Sequence, residues 1–250
     1  MIKIKTNQEI EYMKEAGYLN FLTREYLKSI IKPGITTKEI DEKCDEFIKS
    51  KDAIAGFKGL YGFPGTICIS VNDEVVHGIG SDRVLKEGDI ITIDVGVKKN
   101  GYHSDAAVTI PVGKVNKEKE NLIKYTEGAF WAGVKEVKDG AKLGNVSARI
   151  ESYAKKHNLG VVKELCGHGV GKDLHEDPDV PNFGKYGTGI TLKEGMVIAI
   201  EPMLTAGKRY IYQKSNGWTI VTQDGKPAAH FEHTVLVTKE GYEILTGDKN

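Results

Sequence analysis

Cysteine is scarce in this chain. The three thiols, Cys44, Cys68 and Cys166, are odd in number, widely spaced and in no CxxC pattern, which argues against a disulfide framework and for a reducing compartment. Long apolar runs are missing too. No stretch approaches the roughly 18 apolar residues of a membrane span, and the N-terminal MIKIKTNQEIEYMKEAG has no apolar signal core. A soluble, cytoplasmic protein with no membrane partner is expected. Neither sign of charge is in excess: 35 Lys and Arg balance 35 Asp and Glu, so no net field hints at nucleic acid as a partner. At 250 residues and 40% apolar content, the core can be large enough to need no covalent staples.

Capping boxes and helical periodicity are what the chain does have. Thr6 and Glu9 precede Ile10, Met13, Leu19, Leu22, Tyr26 and Ile30 at helical intervals, and Lys32-Pro33-Gly34 stops them, which predicts a helix over 7–31. Thr36 and Glu39 repeat the box ahead of Ile40, Cys44, Phe47 and Ile48, a second helix with one apolar stripe. GFKGLYGFPG at 56–65 is too glycine-rich for a regular element, yet its Phe57, Leu60, Tyr61 and Phe63 suit a loop that walls a cavity. A strand over 66–71 and a VHGIG turn at 76–80 follow.

Residues 90–111, IITIDVGVKKNGYHSDAAVTIP, read as an antiparallel hairpin. A four-residue loop over 98–101 would set Asp94 directly opposite Asp105. Two carboxylates about 4 Å apart repel by roughly 4 kcal/mol at an effective dielectric of about 20. Apolar neighbours on both faces keep water from relieving that repulsion, so a shared proton or a bound cation is required.

The pattern then starts again. Helical stretches over 117–138 and from about 145 to 156 lead to a strand near 161–165, then CGHGVG and LKEGMVIAIE. LKEGDIITID at 85–94 matches LKEGMVIAIE at 192–201 in six of ten positions, and Lys32-Pro33-Gly34 aligns with Lys138-Asp139-Gly140 at nearly the same offset. An internal duplication follows, with halves of about 1–112 and 113–250 in a single domain. It predicts an α+β architecture: a curved, mostly antiparallel sheet, two pseudo-twofold-related halves, helices on the outer face and one shared concave site.

Asp94 and Glu201 are equivalent in that duplication. His168 lies between Gly167 and Gly169, and Glu232 sits in HFEHTVLV. Four carboxylates on buried-looking strands free of Lys and Arg, with one imidazole, form an oxygen-rich set suited to Mn, Fe, Co or Zn as divalent ions. A structural zinc would instead be rich in sulfur and four-coordinate.

HGIG at 77–80, the Asp94 and Asp105 pair, CGHGVG at 166–171, IEP at 200–202 and FEHT at 231–234 resemble the type I methionine aminopeptidases, over essentially the whole chain. The resemblance implies the pita-bread metallohydrolase fold and removal of the initiator methionine from nascent polypeptides, with two divalent metal ions. It implies that Asp94 holds one ion, that His168 and Glu201 hold the other, and that Asp105 and Glu232 bridge them. It further implies proton transfer by Glu201, hydrogen bonds from His77 and His175 to the reacting amide and oxyanion, and a methionine pocket at Phe63, Cys68 and Trp218. His103, two residues from Asp105, has ligand spacing but no role in the family pattern.

Two departures bear on that pattern. Leu60 stands in the pocket where the family usually has Tyr, and Gly80 replaces the Pro of HGIP. The expected partners are the N-terminal peptides of nascent proteins, met in transient contact with the ribosome by a monomer. Two other readings share the fold. X-Pro aminopeptidases and prolidases carry a further N-terminal domain, for which the first helix leaves no room, and a non-catalytic peptide-binding relative typically loses ligands that are all present here.

Overall fold

A computed structural model describes residues 2–249. The capping boxes set both N-terminal helices. In α1 (Asn7–Ile30) and α2 (Thr37–Lys49), the Thr6 and Thr36 hydroxyls accept from the amides of Glu9 and Glu39, whose carboxylates accept in return from the cap amides. The second pair is α3 (Lys117–Val134) and α4 (Leu143–Lys156). α3 stops four residues short of the expected end, because i→i+3 bonds from Glu136 to Gly133 and from Val137 to Val134 tighten the chain into a turn. α4 begins at Leu143 behind Lys142, which makes no side-chain cap, so no capping signal marked that start.

Eight strands position the site: β1 (Cys68–Val71), β2 (Ile90–Lys99), β3 (Tyr102–Pro111), β4 (Cys166–Gly169), β5 (Glu176–Pro181), β6 (Val197–Ile200), β7 (Ala228–His230) and β8 (His233–Val237). Every strand ladder among the described residues is antiparallel. The ladders fall into four hydrogen-bonded sheets, stitched across the centre where Glu232 N–H donates to Ala107 O and Asp105 N–H to Thr234 Oγ1, both at 2.9 Å.

The duplication is visible in the bonding. β2 is flanked by β1 and β3 as β6 is flanked by β4 and β8. Gly34 N–H donates to Leu85 O and Gly140 N–H to Leu192 O, each at 2.9 Å, and the isolated bridges Thr36–Val84 and Lys142–Thr191 are equivalent as well. The main hydrophobic core runs without a break from Leu19 on α1 to Val237 on β8.

The hairpin register differs from the sequence expectation. Lys99 pairs with Tyr102, so the loop is the two residues Asn100-Gly101, both with positive φ (51° and 81°). Such a turn follows the right-handed twist of the strands, and it replaces the four-residue loop over 98–101 expected from the spacing. Asp94 therefore faces Ala107, and Asp105 faces Gly96. The two acids are diagonal rather than opposite, yet they share a face. The alternate face packs on α1, where Ser104 Oγ donates to Ala16 O at 2.9 Å and Asn20 Nδ2 donates to Val95 O.

Candidate metal centre

Asp94, Asp105, His168, Glu201 and Glu232 converge on one cavity of about 630 Å³, and each is at most 9% exposed. Strand alternation aims the two aspartates inward. Glycine admits His168: a Cβ on Gly167 would meet Ala199 O at 2.2 Å, and one on Gly169 would meet Asp177 O at the same distance. The bare backbone on either side of His168 thus lets β4 nest between its neighbours.

His168 Nδ1 donates to Gly169 O at 2.8 Å, which turns Nε2 to Asp105 Oδ2 (3.6 Å) and Glu201 Oε1 (3.7 Å). An imidazole whose Nδ1 is held by a carbonyl presents Nε2 as a ligand. Burial opposes a charge on this ring, but the carboxylates of Asp105 and Glu201 that face Nε2 favour its protonated form and push its pKa up to about 9. Burial, then the charge of Asp105, raises Asp94 well above the carboxylate range, and burial with the charges of Asp105, Glu201 and Asp94 does the same to Glu232. The buried guanidinium of Arg24 on α1 pulls both the other way without overcoming them.

The donor set fits divalent ions. Asp94 Oδ1, Asp105 Oδ1 and Glu232 Oε1 are buried without a hydrogen-bond partner among the described residues, a costly arrangement for protein alone. Two trios have donor atoms within 4.8 Å of one another, Asp94, His230 and Glu232, and Asp105, His168 and Glu232. His230 was missed by sequence reasoning, and its place two residues before Glu232 was the signal available. His103 has the same spacing from Asp105, but it does not line the cavity and its ring abuts Gly56.

His77 and His175 also line the cavity. His77 adopts a positive φ of 57°, and burial lowers the pKa of its ring. Burial, then the charge of His168, lowers that of His175. His175 stacks on Tyr61 and meets His168 edge-on, with centroids 4.3 Å apart.

Phe63, Cys68 and Trp218 form the apolar end with Phe57 and Leu174, and Leu60 packs on their rim. Phe63 and Trp218 meet edge to face at 5.2 Å. Burial and then the charge of Asp94 keep the Cys68 thiol protonated, so it behaves as a small apolar group. Outside the cavity, a Cβ at Gly80 would lie 3.0 Å from Asp41 Cβ and 3.1 Å from Thr37 O, so glycine lets that loop lie against α2.

A buried cluster of acids and imidazoles at the meeting of two duplicated halves defines a metallohydrolase. The chain belongs to the metallopeptidase family M24, whose model matches residues 11–239. It is 52% identical to methionine aminopeptidase 1 of Bacillus subtilis, covering 98% of this chain and 99% of that one. It is 48% identical to a methionine aminopeptidase of Clostridium acetobutylicum at the same coverages. The crystal structure of methionine aminopeptidase from Rickettsia prowazekii superposes with a TM-score of 0.97 at 43% identity, covering 99% of this chain and all of that one. The prolidase of Pyrococcus furiosus matches at a TM-score of 0.79 and 25% identity over 66% of its own length. The fold is therefore the pita-bread fold expected from the sequence.

Proposed function

We propose that this chain is a methionine aminopeptidase acting as a single catalytic domain in the cytoplasm: it hydrolyses the first peptide bond of nascent polypeptides and releases the initiator methionine. Relatives of that name align along nearly their whole length at 48–52% identity, whereas the prolidase has a third of its chain unmatched. The observation that carries the reading is the set of orphaned carboxylate oxygens at the floor of an apolar pocket.

Asp94 would hold one divalent ion and His168 with Glu201 the other, with Asp105 and Glu232 shared between them. What the ions supply when bound is Lewis acidity, able to bring the pKa of water from about 15.7 to about 7. The pocket of Leu60, Phe63, Cys68 and Trp218 takes the methionine side chain and excludes water around it. His77 and His175, held neutral by burial, each donate one N–H, to the scissile amide and to the oxygen that gains charge, where one donor is worth roughly 3 kcal/mol. The Glu201 carboxylate accepts a proton from the attacking water and returns it to the leaving amine.

No described helix is long and apolar enough to cross a membrane. The enzyme works as a monomer in transient contact with the ribosome, on peptides as they emerge. A chelated preparation is expected to be inactive on a Met-Ala-Ser peptide and to recover with Mn²⁺ or Co²⁺; unchanged turnover after chelation would contradict the proposal.

A further inference from the structure

His230 has no role in the five-ligand scheme, yet its surroundings are those of a ligand. It ends β7, with its amide donating to Thr109 Oγ1 and its carbonyl accepting from the same hydroxyl, each at 2.9 Å. That clamp fixes where the ring points. The residue is 1% exposed, and neither ring nitrogen has a hydrogen-bond partner among the described residues. A buried imidazole with both nitrogens orphaned is rare unless something else engages it.

The distances say what engages it. Nε2 lies 3.5 Å from Glu201 Oε2 and 3.6 Å from Glu232 Oε2, longer than the roughly 2.7–3.2 Å of an N–H···O bond. Two atoms that each sit about 2.1 Å from one ion are separated by roughly 3.0–3.4 Å at octahedral or tetrahedral angles, close to what is seen. His168 stands in the same relation to Asp105 and Glu201, at 3.6 and 3.7 Å. The two trios thus have one composition: one aspartate, one histidine and the common Glu232.

We propose that His230 is a nitrogen ligand of the ion held by Asp94 and Glu232, so that each ion of the pair has its own imidazole. The inference rests on the dinuclear reading above. Its consequence is that both positions, rather than one, favour ions that accept imidazole, Co²⁺, Fe²⁺ or Zn²⁺, over oxygen-seeking Mg²⁺.

The test is proton NMR of the whole chain, loaded with two equivalents of Co²⁺ and carrying ¹⁵N-labelled histidine, because an imidazole on this paramagnetic ion has its remaining ring N–H shifted far outside the ordinary spectrum. Two such resonances are expected. In His230→Gln one should vanish, and calorimetry should show affinity for one of the two ions reduced by about tenfold or more. One shifted resonance from unmodified protein with two ions bound would overturn the role of His230 and leave the five-ligand reading standing. Failure to bind two ions at all would overturn both.

Discussion

At the scale of single residues, the site is built from side chains that cannot all be charged together. Asp94 and Glu232 are raised well above their ordinary 3.8 and 4.5 and His168 is raised to about 9, so without ions the cluster is held together by protons. Acids whose folded pKa is raised favour folding only while protonated. Their contribution begins to be lost as pH rises past 3.8 for Asp94 and 4.5 for Glu232, and that of His168 is lost between its ordinary 6.5 and about 9. The chelated protein is therefore expected to melt at progressively lower temperature from pH 5 to pH 9, while Mn²⁺ flattens the slope. Parallel curves with and without the ion would contradict this. Leu60, at the apolar end, stands where the resemblance leads one to expect Tyr, and Leu60→Tyr is expected to change the Met-to-Leu preference in kcat/KM by about tenfold, the scale of one methylene in an apolar pocket. An unchanged ratio would remove Leu60 from specificity.

At the scale of elements, legibility followed the strength of the local signal. The capping boxes marked the starts of α1 and α2, because Thr6-Glu9 and Thr36-Glu39 are complete in themselves, and Lys32-Pro33-Gly34 placed the end of α1 to within a residue. α4, with Lys142 at its cap, was misplaced by two residues. The hairpin register was set by turn geometry that spacing alone left open, and a two-residue loop slid Asp105 past Asp94 without turning it from the cavity. His230 was illegible for a related reason. A histidine two residues before an acid occurs at both 103 and 230, and only tertiary packing sends the second into the site. The glycines of β4 carry a consequence of their own. Gly167→Ala would drive a Cβ into Ala199 O at 2.2 Å, forcing β4 from β6 and His168 from its partners. A loss of about 1–3 kcal/mol in urea unfolding is expected, with weaker ion binding, and a wild-type midpoint would show the approach to be slack.

At the scale of the whole molecule, two copies of one pattern close around a shared floor. Each contributes a central strand that follows LKEG, and the equivalent bonds at Leu85 and Leu192 hold the two in like positions. Neither half carries the whole cluster, since Asp94 and Asp105 come from the first and His168, Glu201, His230 and Glu232 from the second. The core crosses the boundary between them, so the site's geometry is a property of the closed molecule. Ions that bind only this folded arrangement add stability in proportion to the logarithm of their concentration, about 2.7 kcal/mol at a hundred times Kd.

The most direct test of the dinuclear site is anomalous scattering from a crystal grown with Mn²⁺. Two peaks are predicted on the cavity floor, one beside Asp94 and one beside His168 and Glu201, with Asp105 and Glu232 reaching both. Density at neither position, with the five side chains still converging, would contradict it.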